Sequence, residues 1–177
     1  MVKLGNKVKD VVSNFAGIAV RKVTFLNGCV QFEVKGPYSK KEGASPSTRV
    51  DIQQLLVLEK GLEDAVPKVN YKIDFSLGNT VVDLVSGFQG IAVAFIDDID
   101  GTSAVNIREQ LENPENPDVK SGFANLNLVQ KVDDGVVKLL KEESTPEVVE
   151  EKKKTGGEYD NSFYPPKQKY DSYIENN

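Results

Sequence analysis

The sequence predicts a mainly β protein: two small antiparallel barrels in tandem with short helices, followed by an extended or disordered C-terminal arm. Three observations predict it. One segment recurs 73 positions further on, the recurring unit reads as short alternating strands between tight turns, and the composition changes abruptly near residue 141. LGNKVKDVVSNFAGIAV, from Leu4 to Val20, returns as LGNTVVDLVSGFQGIAV from Leu77 to Val93, with twelve of the seventeen positions identical. Unrelated sequences would match at about one of them. The same shift sets Gly28 on Gly101 and Val34 on Ile107, and with the offset relaxed by two, Leu55 to Lys60 faces Leu126 to Lys131. Each unit then sits near the lower size limit for a self-supporting core, so the two are expected to pack on each other or on a partner.

In the first unit Val8, Asp10 and Val12 alternate with Lys9 and Val11, and Gly17 opens a second apolar run from Ile18 to Phe25. Both are strand signals. Ser13-Asn14 and its counterpart Ser86-Gly87 supply the turn between them. Asn27-Gly28 and Asp100-Gly101 are dipeptides favoured in two-residue hairpin turns, whose central residues both need positive φ. Val30, Phe32 and Val34 form the returning strand. A loop rich in Gly, Pro, Ser and Lys follows from Gly36 to Thr48, matched by the region from Asn113 to Asp118. A short apolar strand, Leu55 to Leu58 or Leu126 to Val129, closes each unit. Four to five short strands with tight turns point to a small barrel of SH3-like type. Short helices are expected around Leu62 to Val66 and Val136 to Leu140, where the apolar spacing suits one face. The organisation expected is a first repeat over 1–66, a linker over 67–74, a second repeat over 75–132, a short helix over 133–141 and an arm over 142–177.

The arm is rich in charge runs, glycine and proline, yet it carries Tyr159, Phe163, Tyr164, Tyr170 and Tyr173, five of the fourteen aromatic residues of the chain. Ordinary solvating tails are poor in aromatics. These five are the candidate partner-binding residues: aromatic anchors for pockets on another protein, in a segment kept soluble by its polar neighbours.

Whole classes of chemistry are excluded by composition. With no histidine there is no His ligand, His general base or Ser-His triad, and Cys29, the only cysteine, cannot form an internal disulfide. A net charge of −5 works against binding to phosphate backbones. No run of 18 apolar residues would span a membrane, and the segment from Met1 to Lys7 lacks the apolar core of a secretory leader. No cofactor and no metal are expected. The carboxylates in Asp97-Asp98-Ile99-Asp100-Gly101 lack calcium-loop spacing, because the glycine is the hairpin glycine equivalent to Gly28. Asp10 and Asp83 occupy equivalent positions and are read as acceptors of backbone N–H groups at the adjacent turn rather than as an acid–base pair. Cys29 has no base nearby and is read as a buried structural thiol. Phe15 and Phe88, beside Gly17 and Gly90, are read as core aromatics next to a close backbone approach. Lys3, Lys7, Lys9, Arg21, Lys22, Lys35, Lys40, Lys41 and Arg49 could give the first repeat a basic face that the second lacks.

The pattern Gly5-x-x-Val8-x-Asp10-x-Val12-Ser13-x-Phe15-x-Gly17-Ile18, followed by Phe25-Leu26-Asn27-Gly28-Cys29-Val30-Gln31-Phe32-x-Val34, resembles short proteins encoded by tailed bacteriophages, which typically carry one such module. The resemblance covers all of the first repeat and the front half of the second. The second departs at Asp98-Ile99-Asp100-Gly101-Thr102. The strand–turn–glycine pattern is also similar to KOW and other SH3-like modules, which bind RNA or proteins. The expectation is a non-enzymatic virion structural protein, a capsid decoration or other virion-associated subunit, assembled in the host cytoplasm. Its partner would be a virion protein such as the major capsid protein, with a homo-oligomer also considered and no nucleic acid or membrane. The alternative is an intracellular phage binding module for a host factor, a nucleotide signal or RNA, using the loops at Gly36 to Thr48 and Asn113 to Asp118.

Overall fold

The computed structural model describes residues 1–110 and 118–137. The chain divides into two units, Met1–Thr145 and Pro146–Asn177, and both repeats belong to the first. Residues 142–177, including all five arm aromatics, lie outside the described residues.

Ten strands are described. The first repeat supplies β1 (Lys7–Asp10), β2 (Ala16–Phe25), β3 (Val30–Lys35), β4 (Ser47–Asp51) and β5 (Leu55–Glu59). The second supplies β6 (Thr80–Asp83), β7 (Gln89–Asp98), β8 (Ser103–Arg108), β9 (Ser121–Asn125) and β10 (Val129–Asp133). Every pairing is antiparallel. Within the first repeat the order is β5-β1-β2-β3-β4, and the second repeats it as β10-β6-β7-β8-β9. The expected mainly β, antiparallel class is what the chain adopts.

Strands β2 and β7 are long enough to pair twice on one edge. The first part of β2 pairs with β1, Val8 facing Gly17, while Arg21 to Phe25 pair with β7. The change of partner is accommodated at Val20, where the ladder to β3 slips between Ala19 and Arg21; the ladder from β7 to β8 slips at the equivalent Val93. A bulge of this kind bends the strand and increases its twist. All ten strands therefore join in one sheet, with the repeats meeting at the β2–β7 ladder. In that ladder Val23 lies opposite Ile96, its own equivalent, flanked by Arg21 against Asp98 and Phe25 against Ala94. The repeats are thus related by a local twofold through the Val23–Ile96 pair, the arrangement of an isologous dimer written into one chain.

Each repeat keeps its own core. Val8, Ala19, Phe32, Val34 and Val50 are buried in the first, and Val81, Ala92, Val105, Ile107 and Ala124 stand at the equivalent places in the second. The ring supplied by Phe32 has no counterpart at Val105, and the second core draws its buried ring from Phe75, whose centroid lies 5.8 Å from that of Phe95 with the rings tilted at 42°. A third, smaller cluster of Val23, Ala94 and Ile96 fills the seam.

Several local expectations are corrected. The hairpins after β2 and β7 are not two-residue turns, because only Gly28 and Gly101 have positive φ, at 83° and 86°. The Phe25 carbonyl accepts the Gly28 N–H while the Phe25 N–H donates to the Cys29 carbonyl, both at 2.9 Å, a three-residue loop ending in a left-handed glycine. Asp98, Gly101 and Thr102 repeat this. The closing strand of the second repeat is Val129–Asp133, not Leu126 to Val129. Leu126–Leu128 is a 3-10 turn like Ile52–Gln54, so Leu55 aligns with Val129 rather than Leu126. The Asn125 side chain accepts the Asn127 N–H and holds that turn, and Leu126 reaches the core from within it. At Leu62 to Val66 the expected helix is a single 3-10 turn, Glu63–Ala65, with no buried residue to favour a longer one. A helical turn opens at Val136 and Val137, and the remainder expected to Leu140 lies outside the described residues.

Candidate binding surfaces

The Asp10 carboxylate closes the turn after β1. It accepts the backbone N–H groups of Val12 and Ser13 at 3.0 and 3.2 Å and the Ser13 hydroxyl, whose oxygen in turn accepts the Phe15 N–H. Asp83 does the same with Val85, Ser86 and Phe88. Both carboxyls are held below their ordinary range, first by the serine hydroxyl and next by the N–H of Val12 or Val85. An acid–base pair needs one carboxyl raised and both near each other. Here each serves its own turn, as the sequence suggests.

What these turns display was not singled out from sequence. Val11 and Val12 are 56% and 71% exposed, and Leu84 and Val85 are 58% and 75% exposed. Each repeat thus carries an aliphatic pair at its tip, in a turn held by the same five hydrogen bonds in both copies, counting the backbone closure of Asp10 on Phe15 or Asp83 on Phe88, and in the second by the Gly87 N–H to the Asp83 carbonyl as well. A signal existed: the D-[VL]-V-S tetrapeptide recurs with its apolar residues between polar ones, against the strand alternation.

Phe15 and Phe88 pack against the first and second cores. A Cβ at Gly17 would lie 2.3 Å from the Lys35 carbonyl oxygen, and one at Gly90 equally close to that of Arg108. Both readings from sequence hold. Cys29, by contrast, is exposed in the hairpin loop rather than buried. Position decides this, because Cys29 directly follows the exposed turn at Leu26 to Gly28 and precedes β3, which begins at Val30. The three carboxylates of the acidic tip have separate partners: Asp97 accepts the Ser103 hydroxyl, Asp98 pairs with Arg21, and Asp100 accepts from Thr102, which holds its carboxyl low. Among the described residues no three Cys, Asp or Glu converge.

The basic residues of the first repeat do not all share one face. Lys3 pairs with Glu63, Lys7 with Glu59, and Arg21 with Asp98 and Glu33. Arg21 and Lys22, adjacent on β2, line separate depressions.

Three depressions border the seam, and two of them lie side by side. A groove of about 400 Å³ has an apolar floor of Val23, Phe25, Ala94 and Ile96, with Arg49 and the exposed Phe123 at its rims. Beside it a polar recess of about 480 Å³ is lined by Glu33, Lys35, Ser47 and Asp100. The Arg21–Asp98 pair, with Nε–Oδ1 at 2.6 Å and Nη2–Oδ2 at 3.1 Å, lines both. The loop from Gly36 to Thr48 borders the recess through Ser45 and Ser47, whereas 111–117 lie outside the described residues.

A second pair of residues missed from sequence is Asn6 and Asn79, each 3% exposed. Asn6 accepts the Lys3 N–H and donates to the Lys60 carbonyl; Asn79 accepts from Ser76 and donates to the Asp134 carbonyl. Each amide ties the segment before its first strand to the segment after its last. Among the described residues no helix is long and apolar enough to cross a membrane. Comparison with protein-family models, with curated proteins and with solved structures finds no match to this chain.

Proposed function

We propose that each repeat is a small SH3-like barrel left open between its outer strands, β4 and β5 or β9 and β10, and that the chain is a non-enzymatic structural subunit of a tailed-phage particle. It docks on a neighbouring virion protein, such as the major capsid protein, through the barrels and through Tyr159, Phe163, Tyr164, Tyr170 and Tyr173 of the arm. The observation that carries this reading is the duplicated aliphatic tip, Val11-Val12 and Leu84-Val85, exposed in both repeats and held by the same carboxylate-closed turn. Apolar side chains fixed in water contribute nothing to folding, whereas covered by a partner they contribute the largest share of binding. Two equivalent tips on one sheet suit a surface that itself repeats, and simultaneous engagement multiplies weak single contacts. The phage setting rests on the sequence resemblance.

The test is peptide mass spectrometry on gradient-purified particles of the source phage, with copy number measured against the major capsid protein. Many copies per particle are expected. Absence from clean particles, with abundance in the infected cell, overturns the reading. Val12→Asp with Val85→Asp, and separately deletion of 142–177, are each expected to lower the copy number.

A second reading, an intracellular phage module binding a host factor, a nucleotide signal or RNA, is favoured by one observation. The polar recess beside the loop from Gly36 to Thr48 presents Lys35, Ser47 and the Arg21–Asp98 pair together. Salt-sensitive binding lost on Lys35→Ala would select it.

A further inference from the structure

The two outer strands that close the repeats are equivalent in the fold and opposite in character. Strand β5 pairs with β1, and β10 pairs with β6; neither has a second partner strand among the described residues. With Leu55 aligned on Val129, the next positions are Leu56 against Gln130, Val57 against Lys131 and Leu58 against Val132. In β5 all three are apolar and exposed, at 53%, 38% and 44%. In β10 the middle position is a lysine paired with Asp134.

An exposed edge strand presents unpaired N–H and C=O groups, and a charged residue such as lysine is a common means of blocking another strand from adding to it. Repeat two carries that block and repeat one lacks it. The fold does not demand apolar residues here, since β10 does without two of them in the same place. Something other than folding accounts for Leu56, Val57 and Leu58.

We propose that β5 pairs with β5 of a second copy, making a twofold dimer. An antiparallel ladder centred on Val57 sets Val57 against itself, Leu56 against Leu58 and Leu55 against Glu59. One step further out, Lys60 meets Gln54. No like charges face each other in this register, and the three central cross-strand pairs, Val57 with Val57 and Leu56 with Leu58 on either side, are apolar throughout. The self-complementarity selects a second copy over an unrelated strand. The dimer adds a second pair of aliphatic tips to the assembly, and it closes at two because the surface is isologous.

The test is the mass in solution of the full chain by light scattering from about 1 μM to about 1 mM. It is run on wild type and on two variants that carry the residues of repeat two, Val57→Lys and Leu56→Gln. Wild type is expected to rise towards twice the monomer mass. Val57→Lys is expected to remain a monomer throughout, and Leu56→Gln to need at least about tenfold higher concentration. Circular dichroism verifies the folding of each, and if Val57→Lys does not fold, Leu56→Gln decides alone. Amide exchange at Leu56 to Leu58 is expected to slow as wild-type concentration rises. A wild type monomeric throughout, a mass that grows beyond two, or folded variants that dimerise like wild type each overturn the proposal.

Discussion

Asp10 and Asp83 each accept two backbone N–H groups and a serine hydroxyl, and both carboxyls lie below their ordinary value. A carboxyl lowered on folding adds stability that is fully present above its unfolded value, near pH 4, and is lost as pH falls through the folded value. Asp10→Asn and Asp83→Asn are therefore expected to lower the urea midpoint at pH 7, with the gap to wild type narrowing by pH 3. Denaturant titrations at the two pH values measure it. The neighbouring position separates the repeats: Asn14 has φ 62° and Gly87 has φ 73°. Glycine enters the left-handed region without the Cβ clash, so Asn14→Gly is expected to stabilise by about 0.5–1 kcal/mol, read from the same titration at pH 7. Asn6 is the more sensitive site. Its removal leaves the Lys3 N–H and the Lys60 carbonyl without their partner, and Asn6→Ala is expected to cost about 1–3 kcal/mol, as is Asn79→Ala.

At the scale of an element, the long strands β2 and β7 decide how the repeats meet. Each must bend at its bulge, and each passes so close to the next strand's end that a side chain at Gly17 or Gly90 would overlap a carbonyl oxygen. Gly17→Ala and Gly90→Ala are expected to cost about 1–3 kcal/mol each by forcing those backbones apart, measured by thermal and denaturant unfolding. The Arg21–Asp98 bridge across the seam is bidentate, but its side chains are 42% and 28% exposed. Solvent screening limits it, so Arg21→Ala is expected to cost less than about 1 kcal/mol. The alternation of Val30, Phe32 and Val34 and the Asn-Gly hairpin make β3 legible from sequence. The offset of β10 is not, because Leu-Asn-Leu before Val129 reads as alternating strand until the Asn125 side chain caps it as a turn.

For the whole molecule, three clusters hold one sheet, two of them inside the repeats and one at the seam. Val23 and Ile96 face each other on the local twofold, so a charge there meets apolar surface from both repeats at once. Val23→Asp is expected to uncouple the repeats, turning a single unfolding transition into two by calorimetry, since a buried unpaired carboxylate is incompatible with the seam. A mutant that still unfolds in one step would show that the repeats cooperate through something other than this ladder. The seam groove is a product of this assembly, whereas the aliphatic tips and the β5 edge are built within single repeats.

The sequence by itself determined the duplication, the strand content, the carboxylate-closed turns and the glycines at close approach. Each of these rests on local chemistry: side-chain alternation, φ preference and hydrogen bonding within three residues. Only the tertiary structure decided that β2 and β7 pair, that Cys29 faces water, and which apolar residues stay uncovered. Those outcomes depend on which surfaces meet across about 73 residues of chain, where hydrophobicity names candidates for burial without saying which ones find a partner.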